Sequence, residues 1–303
     1  ALIEAVGSRP YFKTLAPRMR ERGILVQAAL PVSLFRRKAA RIDLRNHRKL
    51  AVIDGAVAFT GSQNIVNANY GHKDLSWQDM SVCVRGPIVV HLQSILVSDW
   101  YFETDGVLSA PEYFPAPEVT GEMPIQLLPS GPSYPTENYQ RAVTFALYQA
   151  RRKVIITSPY FIPDEPLLQA VQVAALRGVD VQIILPRRCD QRLVGAAGKA
   201  YYEDILKTGA KLFLYNDGLL HAKTVSVDDD VAVIGSSNFD IRSFVLNFEL
   251  SLLVYGPQAA NMLRERQEGY LASSTELTWK EWRNRPPMVR LLQNIARLFS
   301  PLL

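Results

Sequence analysis

Cysteine is scarce in this chain, and with it the usual material of a disulfide scaffold or a thiolate metal site. Two cysteines in 303 residues, Cys83 and Cys189, cannot staple a fold, and both read as core residues of a reducing compartment. The four histidines (His47, His72, His91 and His221) form no H-x-x-x-H pair or Cys/His cluster, so their spacing argues against a metal cofactor. No apolar run reaches the roughly 18–20 residues that a spanning helix requires, and the first residues carry no signal-peptide pattern. Compositional bias is missing too: at 48% hydrophobic and 21% charged, with 17 Gly and 19 Pro, the chain is neither disordered nor collagenous. What is present is enough sequence for about two domains. It carries a formal net charge of +5, which fits an anionic partner such as nucleic acid, a phosphorylated substrate or acidic lipid without choosing among them.

An internal repeat organises the sequence. His47–Asn64 aligns with His221–Asn238 with 8 identities in 18 positions, where about one is expected by chance. The pairs are His47/His221, Lys49/Lys223, Asp54/Asp228, Val57/Val231, Ala58/Ala232, Gly61/Gly235, Ser62/Ser236 and Asn64/Asn238. Most are polar or Gly, whereas a purely structural repeat matches mainly in its apolar period, so the pattern points to duplicated chemistry. The repeat extends to Val84-Arg85-Gly86-Pro87 and Val254-Tyr255-Gly256-Pro257, and upstream to helices ending at Gly23 and Gly209.

The first copy has an insertion around Pro31–Ile42 carrying Arg36, Arg37, Lys38 and Arg41. It also lacks counterparts of the strand at Val154–Ser158 and the helix at about Glu165–Arg177, so the sequence is expected to begin inside its first lobe. Strands alternating with helices predict an α/β fold of two pseudo-twofold-related α/β/α sandwich lobes, the first incomplete. The expected divisions are 1–108 for the first lobe, 109–124 for a Pro-rich linker, 125–275 for the second lobe and 276–303 for an amphipathic tail.

His-x-Lys on a strand places both side chains on one face. One copy is weak evidence, but two lobes closing about a pseudo-twofold axis collect two His, two Lys and two Asn. That set suits displacement at a phosphodiester, which needs a nucleophile, an acid at the leaving oxygen and donors around the remaining oxygens. Histidine serves both end roles because its ordinary pKa, about 6.5, allows either charge state near neutrality. Lys49, Lys223, Asn64 and Asn238 would neutralise and orient the phosphate. Asp54 and Asp228 fall at hairpin corners, where turn chemistry alone accounts for Asp. Asp79 and Glu249, 32 and 28 residues after the respective histidines, are candidates to orient the imidazoles, against the simpler reading as surface carboxylates. His72 and His91 lie outside the repeat, and His91, within an apolar helix, reads as buried and structural.

The H-x-K-x-x-x-x-D pattern at His47–Asp54 and His221–Asp228, each followed by Gly-Ser-x-Asn, resembles the signature of the phospholipase D superfamily. Pro159–Asp164, Leu128–Pro132 and Asn238–Ser243 with Leu246–Glu249 are similar to its bacterial cardiolipin synthase branch. The resemblance implies a metal- and cofactor-free phosphatidyl transfer between two phosphatidylglycerol molecules through a phosphohistidine. His47 would be the nucleophile and His221 the acid/base, with the reverse assignment open. It places Lys49, Lys223, Asp54 and Asp228 in the catalytic motifs and adds Ser62 and Ser236 to the phosphate-binding set. It also implies an anionic membrane partner, the cytoplasmic face of a bacterial cell membrane, and any spanning anchor upstream of Ala1.

Alternatives are a hydrolytic phospholipase D, a phosphodiesterase acting on DNA, and a lipid-binding module without activity. Nucleic acid finds only a thin stacking candidate, Tyr201-Tyr202 beside Lys199 and Lys207. After Pro286-Pro287, the residues Met288, Leu291, Leu292, Ile295, Leu298, Phe299 and Leu302 recur at helical spacing. They fit either an interfacial helix, acting with the basic insertion, or a helix docked on the core.

Overall fold

The computed structural model describes residues 1–31, 43–67 and 75–302. In the first lobe the order is β1 (Leu2–Glu4), α1 (Tyr11–Glu21), β2 (Gln27–Ala29), β3 (Arg45–Asn46), β4 (Leu50–Ile53) and β5 (Val57–Gly61). It ends with β6 (Trp77–Gln78), β7 (Ser81–Arg85) and α2 (Ile88–Thr104). The second lobe opens with β8 (Ile125–Ser130), α3 (Asn138–Gln149), β9 (Lys153–Thr157), β10 (Phe161–Ile162), α4 (Glu165–Leu176) and β11 (Asp180–Pro186). It continues through α5 (Arg192–Ala200), α6 (Tyr202–Leu206), β12 (Lys211–Tyr215), β13 (Leu219–Leu220), β14 (Thr224–Val227) and β15 (Val231–Gly235). There follow β16 (Phe239–Asp240), α7 (Ile241–Val245), β17 (Asn247–Tyr255), α8 (Pro257–Ala272), β18 (Ser274–Leu277), α9 (Trp279–Arg283) and α10 (Pro287–Arg297).

The second lobe is built on one mixed sheet, ordered β18, β12, β11, β9, β14, β15, β17, with β8 and β3 each also paired with β17. Strands β9, β11 and β12 are parallel, and the hairpin β14–β15 and then β17 run antiparallel beside them. One face is covered by α3, α4, α5 and α6 over Val154, Ile156, Ile183 and Leu185, which are almost wholly buried. Near-continuous Val/Ile/Leu runs in β9 and β11 are what a sheet covered on both faces requires. Ala58, Val84 and Leu92 of the first lobe share a second apolar cluster with Ala232, Leu250 and Leu252, so the lobes meet through a dry core.

The first lobe repeats the antiparallel trio as β4, β5 and β7 and the parallel pair as β1 and β2. Among the described residues nothing corresponding to β9 joins trio to pair, and they form separate sheets. The two hairpin corners match in backbone as well as in sequence: Asp54 and Asp228 adopt φ of 51° and 48°. Several expectations change here. Cys83 is exposed and Cys189 only partly covered, so neither is a core residue. His91 lies on the solvent side of α2 rather than in the core. The basic residues Arg36, Arg37, Lys38 and Arg41, and His72, lie outside the described residues.

Candidate active site

The two lobes exchange short strands. β3 pairs in parallel with the start of β17, Asn46 opposite Phe248, and β13 pairs in parallel with β6, Leu220 opposite Gln78. One residue further along each ladder stand His47 beside Glu249 and His221 beside Asp79. The His47 amide donates to the Phe248 carbonyl (2.9 Å) and the His221 amide to that of Gln78 (2.8 Å). Two twofold-related bridges therefore set the imidazoles, and each is made of one strand from either lobe.

The orienting carboxylates are consequently crossed. His47 Nδ1 donates to Glu249 Oε1 at 2.8 Å, and His221 Nδ1 to Asp79 Oδ1 at 2.6 Å. Asp79 follows His47 in the chain and Glu249 follows His221, but each serves the imidazole of the other lobe. A carboxylate only accepts, so Nδ1 carries the proton and Nε2 presents its lone pair.

Ser62 and Ser236, expected at the phosphate, are instead buried against these carboxylates. Ser62 Oγ donates to Asp79 Oδ1 (2.6 Å) and accepts from the Met80 amide (2.9 Å); Ser236 Oγ donates to Glu249 Oε2 (2.5 Å) and accepts from the Leu250 amide (2.9 Å). Their hydroxyl protons are used in fixing the carboxylates. Gly61 and Gly235 make this possible: a Cβ on Gly61 would stand 2.3 Å from the Met80 carbonyl, and one on Gly235 2.6 Å from that of Leu250.

The lysines are also twofold-related. Lys49 Nζ donates to the His47 carbonyl (2.7 Å) and Lys223 Nζ to that of His221 (2.6 Å). Each His-x-Lys stretch is irregular chain between a bridge and a hairpin strand, not a continuous strand as expected. Burial lowers the Lys49 ammonium to about 8, against the pull of Glu249 and Asp79. Burial and then the Lys49 charge push Lys223 well below its ordinary value. Burial likewise lowers both imidazoles. For His221, helped by Lys223 and opposed by Asp79, the result is about 3. For His47 it is partly offset by Glu249, with Lys49 and Lys223 adding to the drop. Burial pushes Asp79 up, but hydrogen bonds and charge from His221, with Ser62 and Lys223, hold it below its usual range. Each lysine thus acts on the imidazole of the other lobe, which places the two motifs in one electrostatic site.

Asn238 is buried and its Oδ1 has no partner among the described residues, while Asn64 is half-buried. Both follow the returning strand of their hairpin, as the repeat predicts. Asp54 and Asp228, counted in the motifs by resemblance, sit at the far corners of the hairpins, away from the imidazoles. Asp228 accepts the amides of Arg151, Arg152 and Lys153, each at 2.8 Å, and so ties β14 to the start of β9.

The halves are not identical. The His47 side chain is 26% exposed and that of His221 only 5%. Trp77 packs edge-on against His221 with ring centroids 4.6 Å apart. Arg48, where the second copy has Ala222, is held by Asp99 (2.5 Å) and reaches the Glu249 carbonyl at 3.3 Å. Sequence reasoning passed over both residues; the mismatch of Arg48 with Ala222 inside a matched motif was the available signal. A cavity of about 230 Å³ opens beside Asp79, lined by Gln63, Val66, Asn67, Trp77 and Gln78. Tyr201 and Tyr202 are buried, so they offer no stacking platform for bases. Among the described residues no three His, Cys, Asp or Glu side chains converge as a metal-ligand set.

Known proteins resemble this chain in sequence and in fold. Residues 144–269 match a family model described as cardiolipin synthase, PLD-like domain. The whole chain aligns with cardiolipin synthase A of Proteus mirabilis at 40% identity and with that of Pectobacterium carotovorum at 39%, covering 64% of either protein. The chain thus spans somewhat under two thirds of the length of these relatives. A crystal structure of phosphatidylserine synthase from Haemophilus influenzae superposes with a TM-score of 0.65 at 17% identity, covering 87% of this chain and 72% of that one, a likeness of fold.

Proposed function

We propose that the chain is a member of the phospholipase D superfamily, a reading supported by its match to a cardiolipin synthase, PLD-like domain over residues 144–269 and by its 40% identity to a cardiolipin synthase A, and that it carries out phosphatidyl transfer between two phosphatidylglycerol molecules, giving cardiolipin and glycerol. The observation that carries this reading is the pair of carboxylate-held imidazoles, each with a buried lysine, that the crossed bridges bring into one site. In the first step His47 Nε2 attacks phosphorus, the bond to the glycerol oxygen breaks, and His221 gives that oxygen its proton. In the second, the terminal glycerol hydroxyl of another phosphatidylglycerol attacks the phosphohistidine, His221 takes its proton, and the P–N bond breaks. Lys49, Lys223, Asn64 and Asn238 balance and orient the phosphate oxygens. One phosphodiester replaces another, so no nucleotide is required. The reaction is placed at the cytoplasmic leaflet of a bacterial membrane.

One observation favours exchanging the two histidines: His221, lowered to about 3, is held neutral, as a nucleophile must be, and His47, although lowered too, is the more exposed of the pair. In the forward assignment the bound phosphate anion has to raise His221 before it can donate. Mixtures of protein and phosphatidylglycerol quenched in neutral denaturant, because the P–N bond hydrolyses in acid, and analysed by mass spectrometry decide which ring carries the phosphatidyl group. The parent activity is tested with phosphatidylglycerol alone in vesicles. Cardiolipin and glycerol are expected, with His47→Ala and His221→Ala each reducing turnover on the order of 10³-fold or more. Phosphatidic acid as the sole product would identify a hydrolase, and dependence on a nucleotide-linked lipid would reject the donor.

A further inference from the structure

Helix α10 is docked with its polar side inward. It packs along α5, but the side chains it buries are Gln293, Ala296 and, just past its end, Ser300, at 7%, 4% and 3% exposure. Its charges are committed to the same side: Arg290 pairs with Glu203 (3.0 Å), and Arg297 pairs with Asp204 (2.7 Å) while lying 4.1 Å over the Tyr201 ring. Met288, Leu291, Leu292, Ile295, Leu298 and Leu302 remain 45–77% exposed. A helix that only covers a core has the opposite arrangement.

We propose that this apolar face, together with the cations of α5 and of the loop between β11 and α5, is the surface by which the protein rests on the interface of an anionic bilayer; the choice of occupant rests on the lipid-transfer reading above. Arg187, Arg188, Arg192 and Lys199 are exposed and, among the described residues, none is paired with a carboxylate. Apolar side chains flanked by unneutralised cations are complementary to acyl chains beneath acidic headgroups.

The location agrees. The loop leaves the carboxyl end of β11, the same sheet end at which Thr224, three residues after His221, pairs with Thr157. The turn at Ser300–Leu302 lies against α7, which follows Asn238. The greasy face therefore borders the site where a lipid phosphate must enter. A second copy of the chain fits less well: an 11-residue helix is about 16 Å long and 10 Å across, well short of the roughly 800 Å² per partner of a stable protein interface.

The test uses the 303-residue chain and Leu292→Glu/Leu298→Glu, both exposed positions, with Leu176→Glu on α4 as a control of similar exposure. Each is measured by co-sedimentation with phosphatidylglycerol/phosphatidylcholine vesicles, by turnover on those vesicles, and by turnover on detergent-dispersed phosphatidylglycerol. The double variant is expected to lose vesicle partitioning at least roughly tenfold, and vesicle turnover with it, while dispersed-substrate turnover and the control variant stay at the parent level. Unchanged partitioning, or an equal loss in Leu176→Glu, overturns the proposal. So does a shift from dimer to monomer with partitioning intact, which would assign the face to a second copy. Loss of partitioning in a protein that lacks transferase activity on either substrate would refute the transfer reading and leave the membrane surface standing.

Discussion

Lys49 and the crossed carboxylates carry the sharpest consequences at the scale of single residues. With its ammonium at about 8, Lys49 loses the charge that balances a phosphate as pH rises past that value. We expect kcat/KM to fall on a basic limb near pH 8, and kcat to fall later because bound phosphate holds the proton on. Lys49→Arg should remove the limb. Stability moves the other way: between about 8 and the ordinary 10.5 the unfolded chain keeps a proton that the native state has released, so this residue's contribution rises with pH. The crossing makes a separate prediction. Glu249→Gln should perturb the nitrogen resonances of His47 and Asp79→Asn those of His221, each with a loss of turnover on the order of 10³-fold. Perturbation of the histidine in the same lobe would contradict the pairing. The sequence identified both carboxylates from their matched places in the repeat, yet linear order carries no information about which imidazole each reaches across the lobe boundary.

At the scale of elements, the duplicated hairpins separate residues that hold the strands from residues that serve the phosphate. Asp228, with a left-handed backbone and three amides on its carboxylate, should behave as a staple. Asp228→Ala is expected to cost about 2–4 kcal/mol in urea unfolding. Asp54→Ala, at an exposed corner, should cost less than about 1 kcal/mol, and neither should abolish turnover once the protein is folded. The hairpins themselves were legible, because Asp54-Gly55 between apolar alternations is a turn signal and Asp228-Asp229-Asp230 takes the same place in the second copy. The serines were not: a hydroxyl beside a phosphate-binding Asn looks the same in sequence whether it faces the ligand or a carboxylate behind it. Burial decides the matter, since Ser62 and Ser236 are wholly covered. The tail was legible as an amphipathic helix, but its facing was open until Gln293 and Ala296 were seen to form the buried side.

At the scale of the whole molecule, the lobes are not independent units that happen to touch. β3 completes an edge of the second lobe's sheet, β6 pairs with β13, and the apolar cluster around Ala58 and Leu250 spans both. A chain of residues 125–303 alone would leave His221 without Asp79, so it should show no turnover as a monomer. Any activity it has should follow a dimeric fraction, in which Glu249 of one copy could meet His221 of the other. Gel filtration of that fragment with an assay across the peaks tests this. The sequence by itself determined the duplication, the identity of the paired His, Lys and Asn, and the α/β alternation, because chemistry and periodicity are local and survive being read in one dimension. Which carboxylate holds which imidazole, which hydroxyls are consumed in doing so, and which side of the last helix meets solvent were decided only by tertiary structure. Those choices depend on where two distant segments lie side by side, and on which groups that contact removes from water.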